Sequence, residues 1–167
     1  MKQLWAPWRS EYINSGRLME CFFCSSRKKG VIPPLSDESK PLILFCGPLT
    51  MVLLNKYPYN NGHLLVAPVR HIAKFEELTP EEGIDSFKML RAAIAALTEK
   101  MKPDGFNVGL NLGKAAGAGV EDHIHWHVVP RWHGDVNFMP VMSEVKVMPQ
   151  HLRETLSLLL PLFERHD

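Results

Sequence analysis

The order of apolar patterns along the chain predicts an α+β fold. Runs of strand length come first, one long helical repeat follows, and strand-like runs return. At 167 residues the chain fits one domain and is long enough to bury a real core. We divide it into an N-terminal arm and loop (1–40), a core (41–140) and a C-terminal extension (141–167).

Residues 1–20 carry Trp5, Trp8, Tyr12 and Ile13, with Pro7 set against one continuous helix. They read as an arm that packs its aromatics on the domain or on a partner subunit. Cys21 and Cys24 follow as a lone C-x-x-C. Alone it is a zinc half-site, a redox pair or two free thiols. The polar Ser25–Gly30 reads as a loop, not the helix that a redox pair usually opens. The Pro- and Ser-rich stretch to Lys40 reads as surface loop.

Leu42–Cys46 and Thr50–Asn55 are apolar runs split by Gly47-Pro48, as two strands around a turn would be. Tyr57-Pro58-Tyr59-Asn60-Asn61-Gly62 is turn chemistry, and His63–Pro68 is the next strand. Thr79-Pro80-Glu81-Glu82 opens a helix with an N-cap, a proline at the first position and a capping-box glutamate. Ile84, Phe87, Leu90 or Arg91, Ile94, Leu97 and Met101 recur at helical spacing. They predict a helix over 80–101 whose stripe packs on the sheet, with Lys100 and Lys102 complementing its C-terminal dipole.

Phe106–Leu112 is a further strand. The Gly-rich turn Gly113–Gly119 feeds from it into Glu121–Arg131. Glycines let backbone N–H groups approach a ligand, but the G-K-[ST] order of a Walker loop is missing. Lys114 within it reads as a solvated surface lysine before it reads as a polyphosphate contact. Val141–Val147 alternates loosely. Leu152, Leu156, Leu159, Leu160 and Phe163 make a short amphipathic helix.

His123, His125 and His127 stand at every second position, with Ile124, Trp126 and Val128 between and after them. On a strand this gives one imidazole face and one apolar face. Three alternating histidines are costly to satisfy in a core, so chemistry is expected of them. Spacing alone leaves open a metal site and nucleophilic catalysis by the central imidazole.

His123–Val129 resembles, at all seven positions, the signature of the histidine-triad (HIT) nucleotide hydrolases and transferases. The continuation Pro130–Phe138 is similar to the branch holding fragile-histidine-type dinucleoside polyphosphate hydrolases and bacterial diadenosine tetraphosphate phosphorylases. The resemblance implies an antiparallel five-stranded sheet with the long helix packed on it, and a homodimer. It implies that His125 attacks the α-phosphorus to give a covalent nucleotidyl-histidine. His127 would assist the leaving group, and His123 would orient the nucleophile's surroundings. Leu53 would line the base pocket, Asn55 would bind the ribose, and Asn111 and Gly119 would contact the α-phosphate and sugar. In uridylyltransferase relatives a cysteine pair and two histidines hold zinc. By motif these are Cys21, Cys24, His71 and His123. Such a zinc is structural, because four protein ligands leave no open position, and no catalytic metal is required. Where some relatives have a hydroxyl or amide, this chain has Glu121, whose carboxylate would repel a phosphate.

Other readings remain. One is a phosphoramidate hydrolase of the same family. Another is a metal-dependent hydrolase, and the last a non-catalytic, zinc-stabilised nucleotide-binding module. The bulk numbers narrow the partners. A net charge of +1 gives no case for nucleic acid or a membrane surface, so a nucleotide must be held by a local site. The N-terminus lacks a secretory pattern, and no apolar run reaches spanning length. Three cysteines suit a reducing cytoplasm.

Overall fold

The computed structural model describes residues 21–28, 42–135 and 150–164. Expectations for 1–20, 29–41 and 136–149, including the aromatic arm and the Val141–Val147 run, lie outside the described residues. Five antiparallel strands form one sheet. They are β1 (Ile43–Cys46), β2 (Thr50–Leu54), β3 (Leu64–Pro68), β4 (Gly105–Leu110) and β5 (Trp126–Arg131), in the order β1-β2-β3-β5-β4. Among the described residues three α-helices accompany them: α1 (Phe22–Lys28), α2 (Pro80–Met101) and α3 (Leu152–Phe163).

Register sorts the side chains onto two faces. Leu54 pairs with Leu64, which pairs with Val128, and Val66 pairs with Trp126. These residues form the main core with Leu90, Ala93 and Leu97 of α2 and Leu156, Leu159 and Phe163 of α3. The opposite face carries the row Leu53, Leu65, His127 and Gly109. Over β1–β3 it is covered by Phe23 of α1, which packs with Ile43, Met51, Leu53, Leu65, Ala67 and Val69. Full burial of one such aromatic stabilises by about 2–3 kcal/mol.

Helix α2 has the expected bounds for the expected reason. The Thr79 hydroxyl accepts from the Glu82 N–H, and the Glu82 carboxylate accepts from the Thr79 N–H at 2.9 Å. That carboxylate also takes a bidentate pair of hydrogen bonds from Arg70, at 2.8 and 2.7 Å. The Arg70 pairing holds the Glu82 carboxyl below its usual range.

Three expectations need correction. Ser25–Lys28 is helical, not loop: the Ser25 and Ser26 hydroxyls bond the Phe22 carbonyl, and Phe23 anchors the helix. The α2 stripe is rotated. Ile84 and Phe87 are 59% and 66% exposed, whereas Ser86, Met89, Ala93 and Ala96 are buried. Small residues let the helix approach the sheet closely, and they do not stand out in an apolar pattern. Finally, β5 begins only at Trp126, so His123 and His125 lie in its lead-in. The lead-in is tied by the Ile124 N–H to the Ile72 carbonyl at 2.8 Å. No helix among the described residues is long and apolar enough to cross a membrane.

Candidate active site

The three histidines do three different things. The His123 side chain is fully buried and turns away from the open face. Its Nε2 lies 2.8 Å from the Pro68 carbonyl and must donate to it. Nδ1 therefore keeps a lone pair. That lone pair faces Cys21 Sγ at 3.3 Å and Cys24 Sγ at 3.8 Å. His71 Nδ1 lies 3.3 Å from Cys24 Sγ, and the four ligand atoms all fall within 4.8 Å of one another. Tetrahedral zinc at ordinary bond lengths separates sulfur from nitrogen ligands by roughly 3.5 Å. The donor set, tautomer and spacing all fit zinc. Burial holds the His123 imidazole down at about 4, opposed by the bond to Pro68. The ring is neutral near pH 7, as a metal ligand must be.

His125 is 6% exposed, against the ring of Phe23 at 5.0 Å between centroids. Its Nδ1 donates to the backbone carbonyl of His123 at 2.8 Å. Nε2 is thereby left with its lone pair. Burial lowers the His125 pKa, with the bond to His123 acting against that shift. The result is a neutral imidazole with one nucleophilic nitrogen.

The proton on His127 is set from further away. The Tyr59 backbone N–H can only donate, and it meets His63 Nδ1 at 3.0 Å. His63 must then carry its proton on Nε2, which lies 2.9 Å from His127 Nδ1. With Nδ1 accepting, His127 holds its own proton on Nε2. Asn111 Nδ2 lies 3.4 Å from that nitrogen, and the amide turned over by 180° presents its oxygen to the N–H. Tyr59 stacks on the His127 ring at 5.5 Å. Sequence reading placed His63 only at a strand start and Tyr59 only in a turn.

The remaining expected residues are placed as follows. Leu53 is fully buried in the cluster beneath the imidazole face. Asn55 follows β2 and caps the turn. Its oxygen accepts from the Tyr57 N–H at 2.9 Å, and its amide nitrogen lies 3.3 Å from His63 Nδ1. Gly119 lies in an exposed bend before the triad, with exposed Glu121 beside it. The Gly113–Ala118 turn binds three of its own N–H groups, those of Ala116, Gly117 and Ala118.

The family model for the HIT domain matches residues 36–134, more than half the chain. The chain belongs to the HIT family. This HIT protein is 41% identical over 162 residues to a Mycobacterium tuberculosis protein named AP-4-A phosphorylase, covering 95% of this chain and 83% of that one. It is 31% identical over 130 residues to bis(5'-adenosyl)-triphosphatase of Dictyostelium discoideum, covering 74% and 87%. A zinc-bound histidine triad protein from Mycobacterium smegmatis superposes with a TM-score of 0.67 at 26% identity, covering 89% and 96%.

Proposed function

We propose that this HIT protein is a nucleotide hydrolase/transferase acting on dinucleoside polyphosphates through a covalent nucleotidyl-histidine. The observation that carries the reading is the 2.8 Å bond from His125 Nδ1 to the His123 carbonyl, which frees Nε2 for attack. The similarity to AP-4-A phosphorylase and to the triphosphatase supports the substrate class.

His125 Nε2 gives its electron pair to the α-phosphorus. The N–P bond forms as the bond from phosphorus to the bridging oxygen breaks. The His127 Nε2–H donates a hydrogen bond to that departing oxygen, which leaves as a terminal phosphate anion. In the second step an anionic oxygen of the acceptor phosphate attacks the same phosphorus, the N–P bond breaks, and its electron pair returns to His125 Nε2. Splitting one displacement into two lowers each barrier. In this reading Asn111 steadies the His127 side of the site, Asn55 takes the ribose and Gly119 meets the phosphate.

Inorganic phosphate is the acceptor we favour, on the similarity to the phosphorylase. With diadenosine tetraphosphate, phosphorolysis gives ADP and ATP, and hydrolysis gives AMP and ATP. His125→Ala should abolish both, and the trapped wild-type peptide should carry a nucleoside monophosphate mass at His125. Normal turnover by that variant sinks the reading.

Cys21, Cys24, His71 and His123 would hold a structural zinc, which supplies a cross-link from α1 to the lead-in of β5. We also assign a homodimer formed along β4. That strand is a sheet edge, Val108 and Leu112 on and after it are exposed, and so are Ile84 and Phe87 of α2. Light scattering that finds only monomer at micromolar concentration refutes the dimer. Cys21, Cys24 and Cys46, none of them in a disulfide, suit a reducing cytoplasm.

A further inference from the structure

The imidazole face does not end at His127. Val129 and Arg131 follow at two-residue steps along β5, and Asn107 of β4 pairs with Val129. With Tyr59 and Asn60 of the β2–β3 turn they line a half-open cavity of about 230 Å³. Pockets that enclose drug-sized ligands run from roughly 300 to 1,000 Å³, so this one suits a single ring system and its sugar.

The walls say what kind of group fits. Val129 is 7% exposed and apolar. Tyr59 presents an aromatic ring already stacked on His127. Arg131 is held in plane from two sides. Its Nε donates to Asp135 Oδ2 at 3.0 Å and its Nη1 to Asn107 Oδ1 at 2.8 Å. Asp135 is fixed in turn by the Asn60 amide at 2.7 Å and the Trp132 N–H at 2.9 Å. The Arg131 charge is thus balanced at close range. A guanidinium whose charge is matched and whose plane is fixed is a stacking surface more than a phosphate site. An apolar floor, an aromatic wall and amide groups suit an uncharged planar heterocycle.

Position says which one. His127 sits between His125 and the cavity, and His127 faces the bond that breaks. The departing half of the substrate therefore lies on the cavity side. Val129 is four strand positions beyond His125, about 13 Å along the strand. Three more phosphorus atoms and a ribose separate the reacting phosphorus of a dinucleoside tetraphosphate from its far base, so the substrate can reach.

We propose that this cavity is the subsite for the leaving nucleoside, with its base stacked between Tyr59 and Arg131 and met by the Asn107 amide. The proposal rests on the nucleotidyl-transfer reading above. Edge-to-edge pairing along β4 would extend the sheet and leave this face open.

The test compares two substrates with the same reacting phosphate: diadenosine tetraphosphate and adenosine 5'-tetraphosphate, which lacks the far nucleoside. Asn107→Trp fills the cavity from an exposed strand position, and Arg131→Lys keeps the charge while removing the plane. Stacking of a base on a side chain contributes about 1–3 kcal/mol, so KM for the dinucleotide should rise about tenfold in both variants. KM for adenosine tetraphosphate should hold within about twofold, and the wild type should favour the dinucleotide by a similar factor. Equal rises for both substrates, no rise for either, or a wild type indifferent to the far nucleoside overturns the subsite. A wild type that forms the His125 adduct from both substrates alike removes the subsite only. A wild type that forms it from neither removes the nucleotidyl-transfer reading as well.

Discussion

At the scale of single residues, the site is a set of proton assignments. His125 and His127 are the same side chain two positions apart, yet one presents a lone pair and the other an N–H. The difference comes from their partners, a carbonyl for one and the Nε2–H of His63 for the other. Replacing His63 with Phe keeps the volume of a fully buried side chain and removes the donor. We expect kcat to fall by about tenfold to a hundredfold with little change in KM, since one donor aimed at developing charge contributes about 10²–10³-fold. His63→Gln, which keeps an N–H donor, should recover part of the loss. A folded Phe variant with wild-type kcat would refute the relay. The triad was legible from spacing because its alternation is unusual. The relay was not, because a lone histidine after a turn carries no pattern.

At the scale of elements, local chemistry explains which segments could be read. Helix α2 was bounded correctly because Thr79, Pro80 and Glu82 write a start signal in side chains. Its buried face was misread because Ala93 and Ala96 pack closely while Ile84 and Phe87 stay exposed. Helix α1 was missed because its stability comes from Phe23 in the core and from the cysteine–histidine cluster, neither of which is local. The β2–β3 turn depends on Gly62, whose φ is +73° and whose missing Cβ would sit 2.7 Å from Met101 Sδ. Gly62→Ala should cost about 1–3 kcal/mol in thermal unfolding. It should lower activity too, since the same turn carries Tyr59. Unchanged stability would show that the turn relaxes without strain.

At the scale of the whole molecule, Cys21, Cys24, His71 and His123 join three segments far apart in sequence. Stripping metal from this cluster should lower Tm by several degrees, given about 2–4 °C per kcal/mol in a chain of this size. Cys24→Ala should prevent one zinc per chain from being retained. Retention of zinc by that variant, or an unchanged Tm after chelation, would count against the site. Acid should act in the same direction. The unfolded His123 takes up a proton near 6.5 and the folded one only near about 4. Between those values the unfolded chain binds more protons, so stability falls as pH drops through that window. Proton competition for the ligands adds to the fall when metal is bound. Flat stability from pH 7 to 4 would contradict the burial of that ring. The strands and the long helix were legible because strand-length apolar runs between turns and one helical repeat mark them, and the resemblance to the family implied how the strands pair. The gathering of the cluster was not, since it needs the tertiary fold.

The hydrogen bond from the Tyr59 main chain to His63 carries a lesson about evolvability. Side-chain drift at position 59 can weaken the stack on His127, but almost every residue type still offers the same amide. Only proline removes it. The orientation of His63 and His127 is therefore inherited from the polypeptide backbone, and it is shielded from most single-codon changes at the position that sets it.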